Sequence, residues 1–156
     1  MGRPEKSRFV SLEGGYHGDT LGSISVGFVE SFHRPFRSLV VPSLQAEAPC
    51  CGSCKHGGKP DHCHLECFES MKALVTRHAH ELAAAIVEPL CQGAAGMRIY
   101  SPRYLSALAE LCKEKHVLLF CDEIAVGLGR TGKMFAGDHA GALPDIVTLG
   151  KGLSGG

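Results

Sequence analysis

Residues 117–123 are VLLFCDE, a short apolar run followed directly by two carboxylates. The run at 117–120 is continuous rather than alternating, which favours a central strand covered on both faces of a parallel sheet. Three other runs share this character, at residues 9–12, 83–87 and 146–149. Apolar strands that alternate with helical segments predict an α/β fold with a mostly parallel sheet.

Two segments between these runs have the apolar spacing of helices. Ser101 can cap the later helix, Pro102 suits its first position, and the apolar residues that follow share one face. That face comprises Tyr104, Leu105, Leu108, Leu111 and Cys112. The earlier helix is predicted at about residues 65–77, and its inward positions are Leu65, Phe68, Met71, Leu74 and Val75. Strand, helix and strand in this order predict a right-handed crossover.

The composition excludes several classes of partner. Sixteen basic residues balance sixteen acidic ones among 156, so no excess of positive charge favours a nucleic acid or an anionic membrane surface. No apolar run approaches the roughly 18 residues that a membrane span needs. The polar residues after Met1 do not form a secretory signal. We therefore expect a cytoplasmic protein whose partners are small molecules, with no nucleic acid and no membrane.

Chemically active side chains follow all four apolar runs. Ligands of open parallel sheets collect beyond the carboxyl ends of the strands, so these side chains are expected at one edge. In chain order they include Tyr16 and Asp19, then Glu88, then Asp122 and Glu123, and finally Lys151. Pyridoxal phosphate needs a lysine amine for covalent attachment and an acidic partner for its ring nitrogen, and an aromatic side chain can stack on its ring. Lys151, Asp122 and Tyr16 supply these three groups.

Three segments carry a resemblance to a known family. They are GGYHGDTLGSISVG, AAAIVEPLCQGAAGMRIYSPRYL and LLFCDEIAVGLGRTGKMFAGDHAGALPDIVTLGKGLSGG. In order and over nearly the whole chain, they resemble the class III pyridoxal-phosphate-dependent aminotransferases. The resemblance implies pyridoxal 5'-phosphate as cofactor and the fold type I architecture of that enzyme class. It also implies that residues 1–156 form an incomplete part of the large cofactor domain of a homodimeric enzyme, and we expect no transaminase activity from this part alone.

The resemblance assigns roles to five residues. It implies that Lys151 is catalytic, binding the cofactor covalently and transferring protons, and that Asp122 pairs with the ring nitrogen. Tyr16 would stack on the ring and Glu88 would lie near the lysine and the cofactor. Tyr16 and Asp19 would also contact the substrate. From the residues alone, Asp19 is also compatible with a cap of the helix that follows it.

A cysteine-rich insertion at residues 49–67 stands apart from these segments. Cys51, Cys54, Cys63 and Cys67 have the ligand type and the short pair spacing of a structural zinc site, with His56, His62 and His64 nearby. The two pairs have unequal spacing and Cys50 is left over, which favours reduced thiols in a loop and no metal. The remaining cysteines, Cys91, Cys112 and Cys121, lie in apolar contexts and are expected to be small buried residues.

Three functions remain open at this point. The segments YHGDT, QGAAGMRIY and FAGDHA favour one biosynthetic subgroup of the family. The alternative within the family is an ω-aminotransferase that acts on ornithine, acetylornithine, 4-aminobutyrate or a diamine. The alternative of a different kind is a non-catalytic metal-binding fragment, in which the cysteine-rich segment is the functional part.

Overall fold

The computed structural model describes residues 2–58 and 63–155, and within them a five-stranded sheet carries helices. In chain order the elements are β1 (Arg8–Leu12), α1 (Leu21–Val26), α2 (Glu30–His33), β2 (Leu44–Ala46), α3 (Phe68–His78), β3 (Leu82–Val87), β4 (Cys91–Gln92), β5 (Arg98–Ile99), α4 (Pro102–Lys115), β6 (Leu118–Asp122) and β7 (Ile146–Thr148). The sheet order is β2-β1-β3-β6-β7, and every neighbouring pair is parallel. The predicted α/β class and parallel sheet are confirmed.

All four predicted strands are present, with ends that differ by one or two residues. The largest difference is in β6, which begins at Leu118 and includes Asp122, so this carboxylate ends the strand rather than following it. The register pairs Asp122 with Thr148 of β7. The segment that leads to Lys151 therefore leaves the sheet beside Asp122.

The coverage of the sheet differs from the prediction. Helices α3 and α4 pack on one face, where Val10 and Leu12 of β1 are buried. Phe9, which alternates with them, is 38% exposed. Strand β7 is an edge of the sheet among the described residues, and Ile146 and Val147 are each 40% exposed. The prediction of central strands covered on both faces is therefore wrong for β7.

Helix α4 forms as the sequence predicts. The Ser101 hydroxyl accepts a hydrogen bond from the Arg103 N–H, Pro102 is the first helical residue, and all five predicted apolar positions are buried. Helix α3 begins at Phe68 rather than at residue 65. The φ of Leu65 is +59°, a left-handed conformation that cannot continue into a right-handed helix. Phe68 and Tyr104 then join the two helices in an edge-to-face contact, with ring centroids 5.1 Å apart.

Several short elements were not predicted, because few residues carry their pattern. Strand β2 has three residues, and the hairpin of β4 and β5 has two in each strand. Helix α1, which is the helix expected after Asp19, has six residues, and the unpredicted helix α2 has four, too few for a helical period to show. In the part of the chain that the structure describes, no helix has both the length and the apolar character of a membrane span.

Candidate active site

Glu88 ties the loop after β1 to the turn after β3. Its Oε1 accepts a hydrogen bond from the Tyr16 N–H at 3.1 Å, and its Oε2 accepts one from the Gly93 N–H at 2.8 Å. Glu88 is buried, and this burial raises the pKa of its carboxyl, although the two N–H donors oppose the rise. Nearby, Gln92 donates its amide N–H to the Glu13 carbonyl, while its Oε1 is buried without a partner among the described residues.

Asp122 is held from three directions at the end of β6. Its Oδ2 lies 2.8 Å from Nδ1 of His17, and the two side chains are only 7% and 3% exposed. Its Oδ1 accepts hydrogen bonds from the Ile124 N–H and from the Thr148 hydroxyl. A carboxylate can accept about four hydrogen bonds, so this one keeps capacity for a further donor such as a protonated ring nitrogen.

The position of His17 depends on a glycine. A Cβ added at Gly27 would lie 2.8 Å from the Gly15 carbonyl oxygen and 2.8 Å from Cδ2 of the His17 ring. These distances are too short for real contacts, so the loop after β1 and the end of α1 can approach this closely only because residue 27 has no side chain.

Glu123 binds a different part of the chain from Asp122. It is 2% exposed, and its carboxylate accepts hydrogen bonds from the Ala136 and Gly137 N–H groups, both at 2.9 Å. These donors belong to the short 3₁₀ helix at Ala136–His139. A Cβ at Gly127 would lie 2.8 Å from the Glu123 carbonyl oxygen, so the turn after β6 folds tightly over Glu123. Glu123 therefore fixes the backbone of the segment between β6 and β7.

Lys151 lies in the turn after β7 and is exposed. Its φ is +39°, and its carbonyl oxygen accepts hydrogen bonds from the Ser154 and Gly155 N–H groups. The side chain lines an open depression of about 570 Å³ together with Arg130 and Gly152 and with residues of the turn after β6. Among the described residues, no hydrogen bond joins its amine to Asp122, Glu88 or Tyr16.

The loop after β1 brings Tyr16 and Asp19 together. The Tyr16 hydroxyl donates to Asp19 Oδ2 at 2.9 Å, and the Tyr16 ring stacks on the His33 ring, with centroids 5.8 Å apart and planes at 14°. The cap of α1 is Thr20, whose hydroxyl accepts from the Ser23 N–H, so the alternative that Asp19 caps this helix is wrong.

The cysteine-rich segment forms a pocket of about 350 Å³ beside α4. Its cysteine lining comprises Cys50, Cys51, Cys54, Cys63 and Cys67. Burial raises the pKa of the Cys67 thiol to about 11, and a hydrogen bond from Ser53 lowers the pKa of the Cys50 thiol. Within residues 2–58 and 63–155, no group of three or more His, Cys, Asp or Glu side chains is arranged to hold a metal ion. His62 lies outside the described residues.

Three residues at this edge had no predicted role. His17 stands next to Tyr16 in the segment GGYHGDT and Glu123 follows Asp122, but nothing in the local sequence assigns a histidine to one particular carboxylate far along the chain. His33 lies in a short polar-looking segment, ESFHRPF, whose helical turn carries no readable period. An adjacent pair such as Asp122 and Glu123 could have been separated by strand alternation, because neighbouring residues of a strand point to opposite faces.

This arrangement is typical of one class of protein. A parallel α/β sheet that brings a buried carboxylate, an aromatic loop and a lysine turn to its carboxyl edge is typical of cofactor-dependent group transfer. The chain belongs to the aminotransferase class-III family, because the sequence profile of this family matches residues 1–156.

The relatives narrow this class. The adenosylmethionine-8-amino-7-oxononanoate aminotransferase of Geobacter sulfurreducens is 46% identical over 99% of this chain and 34% of its own length. The enzyme of the same name from Staphylococcus aureus is 41% identical over 97% of this chain and 33% of its own. The chain thus spans about a third of the length of the relatives it matches.

Solved structures agree with the fold. The crystal structure of the Methanocaldococcus jannaschii enzyme of the same name matches with a TM-score of 0.84 and 39% identity, over 99% of this chain and 33% of that one. An omega transaminase of Pseudomonas jessenii, solved in complex with PMP, matches with a TM-score of 0.86 and 30% identity, over 99% of this chain and 34% of that one. The predicted fold type I architecture is therefore confirmed.

Proposed function

We propose that this chain is part of the large cofactor domain of a pyridoxal-phosphate-dependent aminotransferase that moves an amino group from S-adenosylmethionine to 8-amino-7-oxononanoate. The product would be 7,8-diaminononanoate, an intermediate of biotin biosynthesis. The relatives of this name, at 40–46% identity, support the choice of reaction. The observation that carries the proposal is the buried pair of Asp122 and His17, beside the strand that leads to Lys151.

The side chains fit the cofactor that the family implies. When bound, pyridoxal phosphate supplies an aldehyde for amines and an electron-withdrawing ring. Asp122 would hold the ring nitrogen, because it is a buried carboxylate with capacity for one more donor. His17 would keep that carboxylate oriented, through the contact at Oδ2.

Lys151 would attach the cofactor and then carry a proton to and from the substrate carbon. Its exposed amine is free to reach across the strand ends, since no described residue holds it. Tyr16 would pack against the ring, with its backbone fixed by Glu88. Asp19, which the Tyr16 hydroxyl contacts, would meet the substrate.

We propose further that the complete enzyme is a cytoplasmic homodimer. Large exposed apolar side chains in the segment 21–41 support a surface that a second copy covers; they are Leu21, Phe32, Phe36, Leu39 and Val41. The eight free thiols support a reducing compartment.

A second candidate is an ω-aminotransferase with another substrate, such as ornithine, acetylornithine, 4-aminobutyrate or a diamine. The match to the omega transaminase of Pseudomonas jessenii favours it, although the identity of 30% is lower than that to the biotin-pathway relatives. The non-catalytic metal-binding alternative has less support, because the cysteine pocket holds no metal arrangement among the described residues.

A chimera tests the proposal. Residues 1–156 replace the corresponding segment of the Methanocaldococcus jannaschii enzyme, giving a polypeptide of full family length. We expect amino transfer from S-adenosylmethionine to 8-amino-7-oxononanoate, and we expect Lys151→Ala to lower it by at least about 10³-fold. Lys113→Ala removes an exposed lysine on α4 and serves as the control with unchanged activity. Undiminished transfer by Lys151→Ala overturns the proposal, and turnover only of ornithine, 4-aminobutyrate or a diamine establishes the second candidate.

A further inference from the structure

His33 is nearly fully buried, with 2% exposure, although it ends a helix of only four residues. Its Nδ1 lies 3.0 Å from the Val29 backbone nitrogen, whose N–H donates to it. A ring nitrogen that accepts a hydrogen bond carries no proton, so the proton of the neutral imidazole is on Nε2. Nε2 lies 3.1 Å from Asp19 Oδ1, and His33 therefore donates to this carboxylate.

Asp19 is thus held at both oxygens by aromatic side chains. The Tyr16 hydroxyl donates to Oδ2 while His33 donates to Oδ1, and the two donor rings stack on each other. These hydrogen bonds, that of His33 first, lower the pKa of the Asp19 carboxyl. Two neutral donors fix the orientation of the carboxylate without cancelling its negative charge.

A second layer of aromatic rings holds His33 in turn. Phe28 and Phe32 contact its ring edge to face, with centroids 5.7 Å and 6.1 Å away. Phe32 also meets the Tyr16 ring at 6.1 Å. Rotation of the imidazole would break these contacts together with the Val29 hydrogen bond, so the position of Nε2 is fixed.

The negative charge of the Asp19 carboxylate is available to a ligand. Its side chain is 73% exposed, and no lysine or arginine of the described residues pairs with it. An oriented carboxylate of this kind, beside the loop that bears Tyr16, complements an ammonium group. We propose that His33 is a positioning residue that holds Asp19 for the free ammonium group of the amino substrate, an inference that rests on the proposed function.

The first test uses the chimera described above and separates KM from kcat. His33→Phe keeps a ring but removes the donor, and we expect the KM for 8-amino-7-oxononanoate to rise about tenfold while kcat changes less than about twofold. His33→Gln places an amide N–H near the position of Nε2, and we expect it to restore the KM. His78→Phe is the matched control, because it breaks a similar contact between a histidine and a carboxylate. That carboxylate, Glu81, precedes β3, whereas the candidate active site lies beyond the other end of this strand.

The second test needs no activity. Carbon-13 NMR of the carboxyl of Asp19 in the 156-residue chain measures its pKa, which we expect to rise in His33→Phe and to stay at the wild-type value in His33→Gln. If the unsubstituted chimera is inactive, the proposed function fails, while this titration still tests the contact. The inference is overturned if His33→Phe leaves the Asp19 pKa unchanged, or if an active chimera shows the same KM with and without the substitution.

Discussion

Two adjacent carboxylates at the end of β6 have opposite uses. Asp122 contacts the His17 ring beside the strand that leads to Lys151, whereas Glu123 accepts hydrogen bonds from the backbone N–H groups of Ala136 and Gly137. Both are buried, so burial alone does not distinguish them. Their partners do, because Glu123 binds the backbone of the segment between β6 and β7, whereas Asp122 binds the His17 and Thr148 side chains and the Ile124 N–H at the end of β6.

Glu88 gives a pH dependence that can be measured. Burial raises the pKa of its carboxyl in the folded state, so its protonated form favours folding. Its contribution is complete below the unfolded pKa and is lost as the pH rises through the folded pKa. We therefore expect the free energy of unfolding of wild type, relative to Glu88→Gln, to fall as the pH rises above the unfolded glutamate pKa, about 4.3. Urea unfolding over this range provides the measurement.

Glu81 supplies a control of opposite sign. The hydrogen bond with His78, and then the Arg8 guanidinium, lower the pKa of its carboxyl, so its ionised form favours folding. Relative to Glu81→Gln, wild type should instead keep its full stability above the unfolded glutamate pKa, about 4.3, and lose it as the pH falls below that value. Equal slopes for the two pairs would contradict this account of Glu88.

At the scale of elements, the ends of helices depend on single backbone conformations. Helix α3 begins at Phe68 and cannot extend back through Leu65, because Leu65 is left-handed. Helix α4 ends at Lys115, and the φ of +53° and ψ of +41° at His116 allow the Val117 N–H to bond the Cys112 carbonyl at 2.9 Å. This left-handed residue turns the chain from α4 into β6.

The cap at His116 is strained, and glycine should relieve it. We expect His116→Gly to raise the free energy of unfolding by about 1 kcal/mol, because glycine adopts positive φ without a Cβ penalty. The Lys6 hydrogen bond survives, since it is made to the backbone carbonyl of residue 116. Lys113→Gly, three residues earlier within α4, should instead lower stability by about 1 kcal/mol. Chemical denaturation of both variants tests the assignment, and a loss of stability in His116→Gly refutes it.

The molecule as a whole carries an apolar surface on the segment 21–41. If a second copy covers it, as proposed, Leu39→Lys combined with Val41→Lys should weaken self-association of the chain by at least about tenfold in its dissociation constant. In the single chain these side chains are 62% and 80% exposed, so the substitutions bury a charge only where a second copy covers the surface. Leu143→Lys, at a site 92% exposed outside this segment, is the control that should leave association unchanged. Sedimentation velocity over a range of concentrations measures the wild type, the double variant and the control, and equal association of the double variant and the control refutes the proposed surface.

How far the sequence predicts this molecule depends on the range of the interactions. The strands at 9–12, 83–87, 117–120 and 146–149 and the helix after Ser101 could be found, because each is a local pattern of apolar residues or a local cap. The resemblance to class III aminotransferases, confirmed by the family match, rests on local motifs too. Strand β2 and the hairpin of β4 and β5 could not be found, since two or three residues have no period; β2 pairs with β1 of the main sheet, and β4 and β5 pair only with each other.

The sequence alone determined the α/β class, the family and the order in which Tyr16, Glu88, Asp122 and Lys151 follow their strands. Only the tertiary structure decided that His17 meets Asp122 across 105 positions of chain, that Glu88 binds the Tyr16 backbone, and that His33 holds Asp19. The physical reason is that apolar periodicity acts over a few neighbouring residues, whereas a hydrogen bond between buried side chains depends on distance in space, which the packing of separate elements sets.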